Sequence, residues 1–403
     1  METSRKDRKD RNDRKEEKKK YTTMDLIIQQ TDYDALSSKL ASIQKRYLPP
    51  GPLVVAKTTG TGNETSTTEG THLSNDQVVQ FYRDITQIYS DYYHALKTQS
   101  RRVFGKINKA IDSSFPVMNY GTYLRTLAID TSILNFIKKN LTSGQTHREF
   151  QIVNLGAGSD LRMAQYLSMF NSTETPDDSP QLLKFVDLDF KPAVDLKREI
   201  LERINTGTQL ADYLSDPRYA LLACDLRDSK ATLDTLRLSA GLDPQIPTIF
   251  ISECVLCYMT QQDSQNLIDD IVREYSGGSN SENSEETRYL WVSYDPIGGE
   301  AADDKFGKIM RANLLESRNL DMPTLLTFNS KQSYSGRWNG PDSNNNNNNR
   351  VHVETDIVDM WEFLNTVVSN VEQRRLQGLQ FLDEVEELKI MQSHYVLLNA
   401  RWS

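Results

Sequence analysis

Apolar residues recur along this chain with two different periods, and the switch between them divides it. Up to about residue 140 the spacing is helical. Leu36, Leu40, Ile43 and Tyr47 fall three or four positions apart and predict a helix within 24–48. Another begins near Asp76, where Val78, Phe81, Ile85, Ile88, Tyr92 and Leu96 keep that spacing and form one core-facing stripe. From residue 151 short apolar runs take over: QIVNL (151–155), LLKFVDL (182–188), YALLAC (219–224), TIFIS (248–252) and YLWVSY (289–294). Amphipathic stretches at about 160–170, 191–204, 229–238 and 261–274 separate them. That alternation predicts parallel strands joined by helices in a doubly wound α/β sheet. A helix near 356–366, a second near 382–392 and a final strand HYVLLNA (394–400) are expected after it.

Polar segments interrupt the pattern. Pro49, Pro50 and Pro52 open a Gly/Thr/Ser/Glu run, so 49–74 reads as a flexible insertion that cannot bury enough surface to order itself. Loops are expected at 171–180, 276–287 and 336–350, the last around the Asn run 344–349. The chain thus divides into a disordered charged tail (1–23), a helical cover (24–140) and an α/β core (141–403).

Composition narrows the classes. No apolar run approaches the roughly 20 residues of a membrane span, and the N-terminus has no signal-like apolar segment, so a cytoplasmic protein without a membrane partner is expected. Cys224, Cys254 and Cys257 all sit in apolar stretches, which argues for a reducing compartment and against a disulfide framework. Net charge is -9, yet residues 1–20 hold ten basic and six acidic residues, leaving 37 basic against 50 acidic, or -13. A nucleic-acid partner needs a basic face, and this balance weighs against one.

The sharpest local feature is Asn154-Leu155-Gly156-Ala157-Gly158-Ser159-Asp160, where the first strand should end and a helix begin. Glycines permit that turn and let a ligand approach the backbone, and the helix N-terminus is expected to offer free N–H groups. Leu161 stands where the dinucleotide fingerprint has its third glycine, which weighs against a pyrophosphate-binding dehydrogenase. Acids stand at the ends of the next strands: Asp187 and Asp189, then Asp225, then Glu253. Ligands of open α/β sheets bind outside the carboxyl ends of strands, so these side chains are expected to converge on one crevice with the glycine turn. One carboxylate can take both ribose hydroxyls, another an adenine amino group, a third an amino-acid ammonium. Any one of them could instead cap the following helix; that account is poor for all together. Cys254-x-x-Cys257 supplies two thiols rather than four zinc ligands, so packing is its expected role and no metal is expected.

At this point the sequence resembles the leucine carboxyl methyltransferases, and the fungal members best. FPVMNYGTYLR (115–125), QIVNLGAGSDLR (151–162), FVDLDF (185–190), YALLACDLRD (219–228), ISECVLCYM (251–259) and DKFGKIM (304–310) appear in the family's order. TDYDALSSKLASIQKRYLP (31–49) and RRVFGKIN (101–108) look like the fungal branch. The resemblance implies a class I S-adenosylmethionine-dependent methyltransferase fold: a seven-stranded, mostly parallel sheet with an antiparallel edge strand and a helical N-terminal cover. It implies S-adenosyl-L-methionine as cofactor and, as acceptor, the C-terminal leucine α-carboxylate of type 2A protein phosphatase catalytic subunits. Carried over by position, Lys39 and Arg125 lie near the methionine carboxylate, Gly156 on the glycine turn, Asp189 at the ribose, Asp225 and the Leu226 backbone at the adenine, and Glu253 at the amino-acid end. A C-terminal carboxylate is ionised at neutral pH and needs no general base, so Arg125 and Tyr258 are expected to orient it.

Two other readings compete. A wybutosine-type tRNA carboxyl methyltransferase carries a kelch-repeat region after this domain, and no such repeats are expected here. A silent scaffold for the phosphatase tail would not need the cofactor-side residues.

Overall fold

The computed structural model describes residues 22–52, 75–141, 148–170, 179–204, 213–276, 287–301, 303–339, 351–383 and 385–403. The expected tail 1–23 and the insertions 49–74, 171–180, 276–287 and 336–350 fall largely outside them, the Asn run wholly so.

Among the described residues five helices precede the sheet: α1 (Thr23–Gln44), α2 (Asn75–Phe81), α3 (Ile85–Gln99), α4 (Arg101–Asp112) and α5 (Pro116–Asn140). A capping box starts α1: the Thr22 hydroxyl accepts from Asp25 N–H, and the Asp25 carboxylate accepts from Thr22 N–H. The stripe from Val78 to Leu96 is a buried surface as expected, but two helices build it, with a turn at 82–84 between α2 and α3. Pro116 opens α5, where a missing N–H costs nothing. That helix runs between β5 (Tyr289–Pro296) and α1, which is why it is buried on almost every side.

The other strands are β1 (Glu149–Leu155), β2 (Gln181–Asp189), β3 (Tyr219–Ala223), β4 (Thr248–Glu253), β6 (Glu354–Asp359) and β7 (Tyr395–Trp402), in the order β3-β2-β1-β4-β5-β7-β6. β1 to β5 are parallel; β7 runs antiparallel to β5, and β6 antiparallel to β7. The strand that opposes the parallel set is therefore β7, one place in from the edge, rather than the edge strand itself. Helices α6 (Arg162–Met169), α7 (Lys191–Arg203), α8 (Ser229–Asp234), α9 (Gln261–Glu274), α10 (Phe306–Arg318), α11 (Lys331–Ser335), α12 (Met360–Thr366), α13 (Asn370–Gln377) and α14 (Val385–Ser393) complete the chain.

Some elements differ from the expected layout. The helix expected at 356–366 begins only at Met360, because Glu354–Asp359 forms the edge strand β6. Its residues are exposed or half-buried, so no apolar run announces it, and Asp359 then caps α12 by accepting from Glu362 N–H. The expected elements do not include helix α10, although Phe306, Ile309, Met310 and Leu314 keep helical spacing; it buries only Gly307 fully and turns Met310 and Leu314 to the crevice.

Alternation along the strands feeds two cores. Leu290, Val292 and Tyr294 of β5 pack beneath the helical cover, while Tyr289 and Trp291 pack on the opposite face with Leu267 and Ile271 of α9. Among the described residues no helix is long and apolar enough to cross a membrane.

Candidate active site

A cavity of about 540 Å³ lies at the carboxyl ends of β1, β2 and β4, beside the β1/β4 switch point, with α1 and α10 forming its other walls. Lys39, Arg125, Gly156, Asp189, Asp225, Leu226, Glu253 and Tyr258 all line it. Asp187 does not. It sits one pleat deeper on β2, fully buried, accepting from Lys197 Nζ at 2.8 Å and from the Tyr219 hydroxyl at 2.7 Å. A strand-end acid two residues too early is a structural ion pair.

The glycine turn is shaped by protein contacts on both sides. Gly156 has φ +69° and Gly158 φ +45°, conformations that disfavour a side chain. A β-carbon on Gly156 would stand 2.6 Å from Val255 Cγ2, and one on Gly158 would collide with the Asp32 carboxylate. The turn's amides are not free, contrary to expectation. Gly158 N–H donates to Asp189 Oδ2 at 2.6 Å, and Ser159 donates from its N–H to Asp32 Oδ1 at 2.6 Å and from its hydroxyl to Asp32 Oδ2 at 2.7 Å. Two carboxylates stand where a phosphate would need donors, so the turn repels a pyrophosphate and suits a ligand without one. Burial pushes Asp189 up to about 6, with Gly158 N–H opposing and Asp32 adding to the rise.

Beside the turn lies a charge cluster centred on Arg162, the last residue of the QIVNLGAGSDLR motif, whose position in the chain gives no sign of this role. Arg162, 2% exposed, donates from Nε to Asp130 Oδ1 at 2.6 Å and from Nη1 to Asp160 Oδ2 at 2.8 Å and Glu253 Oε2 at 2.6 Å. Arg125 Nε stands 2.7 Å from Glu253 Oε1 as an ion pair without an aligned hydrogen bond. Burial would raise the Glu253 carboxyl, but Arg162, Arg125 and Lys39 outweigh it and hold the group at about 2. Lys39 Nζ donates to Thr126 Oγ1 at 2.5 Å, and burial, with Arg162 nearby, brings its ammonium down to about 8.

The far end is closed by α1. Arg227 grips Asp225 through Nε at 2.9 Å and Nη2 at 2.7 Å, and reaches Asp25 with Nη1 at 2.6 Å. Asp25, Asp32 and Lys39 thus bring one helix to three parts of the crevice; the seven-residue interval from Asp32 to Lys39, two helical turns, was the available sign of a shared face. The opposite wall is apolar, with Met118, Cys254, Met310, Leu314 and Met322 around Tyr258.

An open sheet in this strand order, with β7 inserted antiparallel and a glycine turn and strand-end acids at the switch point, is the class I S-adenosylmethionine-dependent methyltransferase fold. The leucine carboxyl methyltransferase family model matches residues 71–272, and the chain belongs to that family. It is 39% identical over 391 residues to leucine carboxyl methyltransferase 1 of Eremothecium gossypii, covering 94% of this chain and 100% of that protein. The protein of the same name from Kluyveromyces lactis is 34% identical, with coverage of 94% and 99%. Among solved structures, a DUF574 family protein from Streptomyces avermitilis matches 77% of this chain and 95% of its own, at a TM-score of 0.45 and 14% identity. The protein is a methyltransferase.

Proposed function

We propose that this enzyme transfers a methyl group from S-adenosylmethionine to the C-terminal leucine α-carboxylate of a type 2A protein phosphatase catalytic subunit, forming a methyl ester and so acting in phosphatase regulation in the cytoplasm. The observation that carries the reading is one cavity in which carboxylates and cations suited to a nucleoside and an amino acid face an apolar wall bearing Tyr258.

The lining fits the cofactor in chemistry. Asp189 would hold the ribose, Asp225 and the Leu226 backbone the adenine, Lys39 and Arg125 the carboxylate, and Glu253 the ammonium. Gln29 adds an Nε2 donor that is buried without a partner among the described residues. When bound, the cofactor supplies an electrophilic methyl on a sulfonium. The acceptor carboxylate, with a reference pKa near 3.5, is already the nucleophile. Positioning is then the enzyme's main contribution, and holding the reacting groups together can supply roughly 7–11 kcal/mol. Arg125 serves this because burial opposes its charge but Glu253 outweighs burial, so it stays a cation. Burial, reinforced by Cys257 and Cys254, lifts the Tyr258 phenol well above its usual range, so it donates and does not act as a base. The apolar wall suits a leucine side chain.

The test is transfer of labelled methyl to purified phosphatase catalytic subunit with and without its final leucine. Base-labile labelling of the intact protein only is expected. No labelling despite cofactor binding moves the acceptor elsewhere, with tRNA tried next. Arg125→Lys keeps the charge but loses the fork, and Tyr258→Phe loses a donor; each is expected to slow transfer by about 10- to 100-fold. Wild-type rates in both would remove these two residues from the mechanism.

A further inference from the structure

We infer that Arg162, which does not itself line the crevice, is the positioning residue that fixes Glu253 and, through it, Arg125 at the amino-acid end of the cofactor site. The inference rests on reading that site as one for S-adenosylmethionine.

The geometry is a closed ring. Arg162 on α6 binds Asp130 of α5 and Glu253 of β4, and Glu253 returns to α5 at Arg125. The Tyr82 hydroxyl donates to the second Asp130 oxygen at 2.7 Å and fixes that acid from the cover. One guanidinium therefore sets where α5 stands against the strand end, and with it where the Arg125 side chain begins. Both Glu253 oxygens are held by guanidinium groups, so the orientation of this carboxylate is settled before any ligand arrives. A further buried donor, Arg162 Nη2, has no partner among the described residues.

Charge balance makes the role testable. Around Glu253 stand the cations Lys39 of α1, Arg125 of α5 and Arg162 of α6, and the acids Asp130 of α5 and Asp160 of the glycine turn. The neutral groups facing them are the Tyr89 phenol of α3, the Tyr294 phenol of β5 and the Cys254 thiol. With Arg162 present, three cations meet three acids. Without it two cations remain, in a place where burial already favours protonating Glu253. A protonated Glu253 cannot pair with an ammonium, so cofactor affinity must then fall as pH falls.

Calorimetry of S-adenosylmethionine binding from pH 7.5 to 5.5 tests this. Arg162→Gln is expected to weaken binding by about 10- to 100-fold at pH 7.5, the range of a lost charge-assisted hydrogen bond, and to lower kcat as well, because Arg125 loses its support. Below pH 7 its affinity should fall more steeply than that of wild type, whose own profile carries Asp189 at about 6. The extra slope should vanish in Arg162→Gln/Glu253→Gln, which identifies the titrating group, and in Arg162→Lys, which keeps the charge. Wild-type affinity and slope in Arg162→Gln, or an extra slope that survives the double substitution, overturn the assignment. A wild-type protein that binds no S-adenosylmethionine overturns the cofactor reading itself. Should Arg162→Gln not fold, Arg162→Lys decides: a loss of about tenfold in affinity with normal melting supports the role, and unchanged affinity overturns it.

Discussion

Glu253 and Asp295 stand near the ends of neighbouring strands, β4 and β5, and the structure treats them oppositely. Glu253 borders the crevice with three cations around it and is held at about 2. Asp295 is fully buried, and burial pushes it up to about 6. It accepts from the Tyr334 hydroxyl at 2.7 Å and, more weakly, from Cys257 N–H at 3.4 Å. The nearby Arg337 makes no hydrogen bond through its guanidinium among the described residues, and lies instead against the rings of Phe328 (4.4 Å), Tyr334 (5.3 Å) and Trp338 (5.8 Å). An acid at a strand end is therefore no site marker by itself. What separates the two is whether cations and a cavity face the carboxylate or a closed aromatic wall does.

The largest expected effect breaks the first member of the pair. Glu253→Gln leaves Arg162 and Arg125 without their shared carboxylate in a buried place, and loss of one partner from such an ion pair costs about 3–5 kcal/mol. Denaturant unfolding at neutral pH measures it; a loss below about 1 kcal/mol would mean that Asp130 and Asp160 suffice for Arg162 and that Arg125 needs no carboxylate partner. The pH sign follows from the depressed carboxyl. Its contribution is present above the unfolded value, 4.5, and disappears as pH falls toward about 2.

Asp295 has the reverse sign. A buried acid raised from 3.8 to about 6 binds a proton more tightly in the folded state, so stability falls as pH rises through that interval, by roughly 3 kcal/mol from this group. Asp295→Asn keeps an acceptor for Tyr334 and removes the titration. Its stability should decline less than that of wild type between pH 4 and 6, and exceed it by about 1 kcal/mol at pH 7.5. Asp189 titrates in the same direction, so the slope should shrink and not vanish. An unchanged slope would mean that Asp295 ionises freely, and the contrast with Glu253 would collapse.

The same contrast explains what could be read from the chain. Strands β1 to β5 and β7 announce themselves because both of their faces are covered, which makes apolar runs; β6, half-exposed at the edge, leaves no such mark. The crevice was legible where chain position alone brings a residue to a strand end, as for Asp189, Asp225 and Glu253. Arg162, Asp32 and Asp130 were not, since their importance comes from partners far away in sequence. Asp187 shows the converse error, for position along β2 could not reveal that Lys197 already neutralises it.

The smallest expected effect sharpens the comparison from outside. Asp34 of α1 and Arg318 of α10 also form an ion pair between the cover and the core, but their side chains are 49% and 51% exposed. Water screens both charges, so Arg318→Ala should cost less than about 1 kcal/mol in unfolding. Cofactor affinity should change little, because both residues stand at the exposed edge of the crevice and neither reaches the glycine turn cluster. Thermal melting and calorimetry on this variant therefore separate exposure from position. A large loss of stability would show that the pair clamps α1 over the crevice, and the divide between strong and weak charge pairs would then follow the seam between cover and core and not burial.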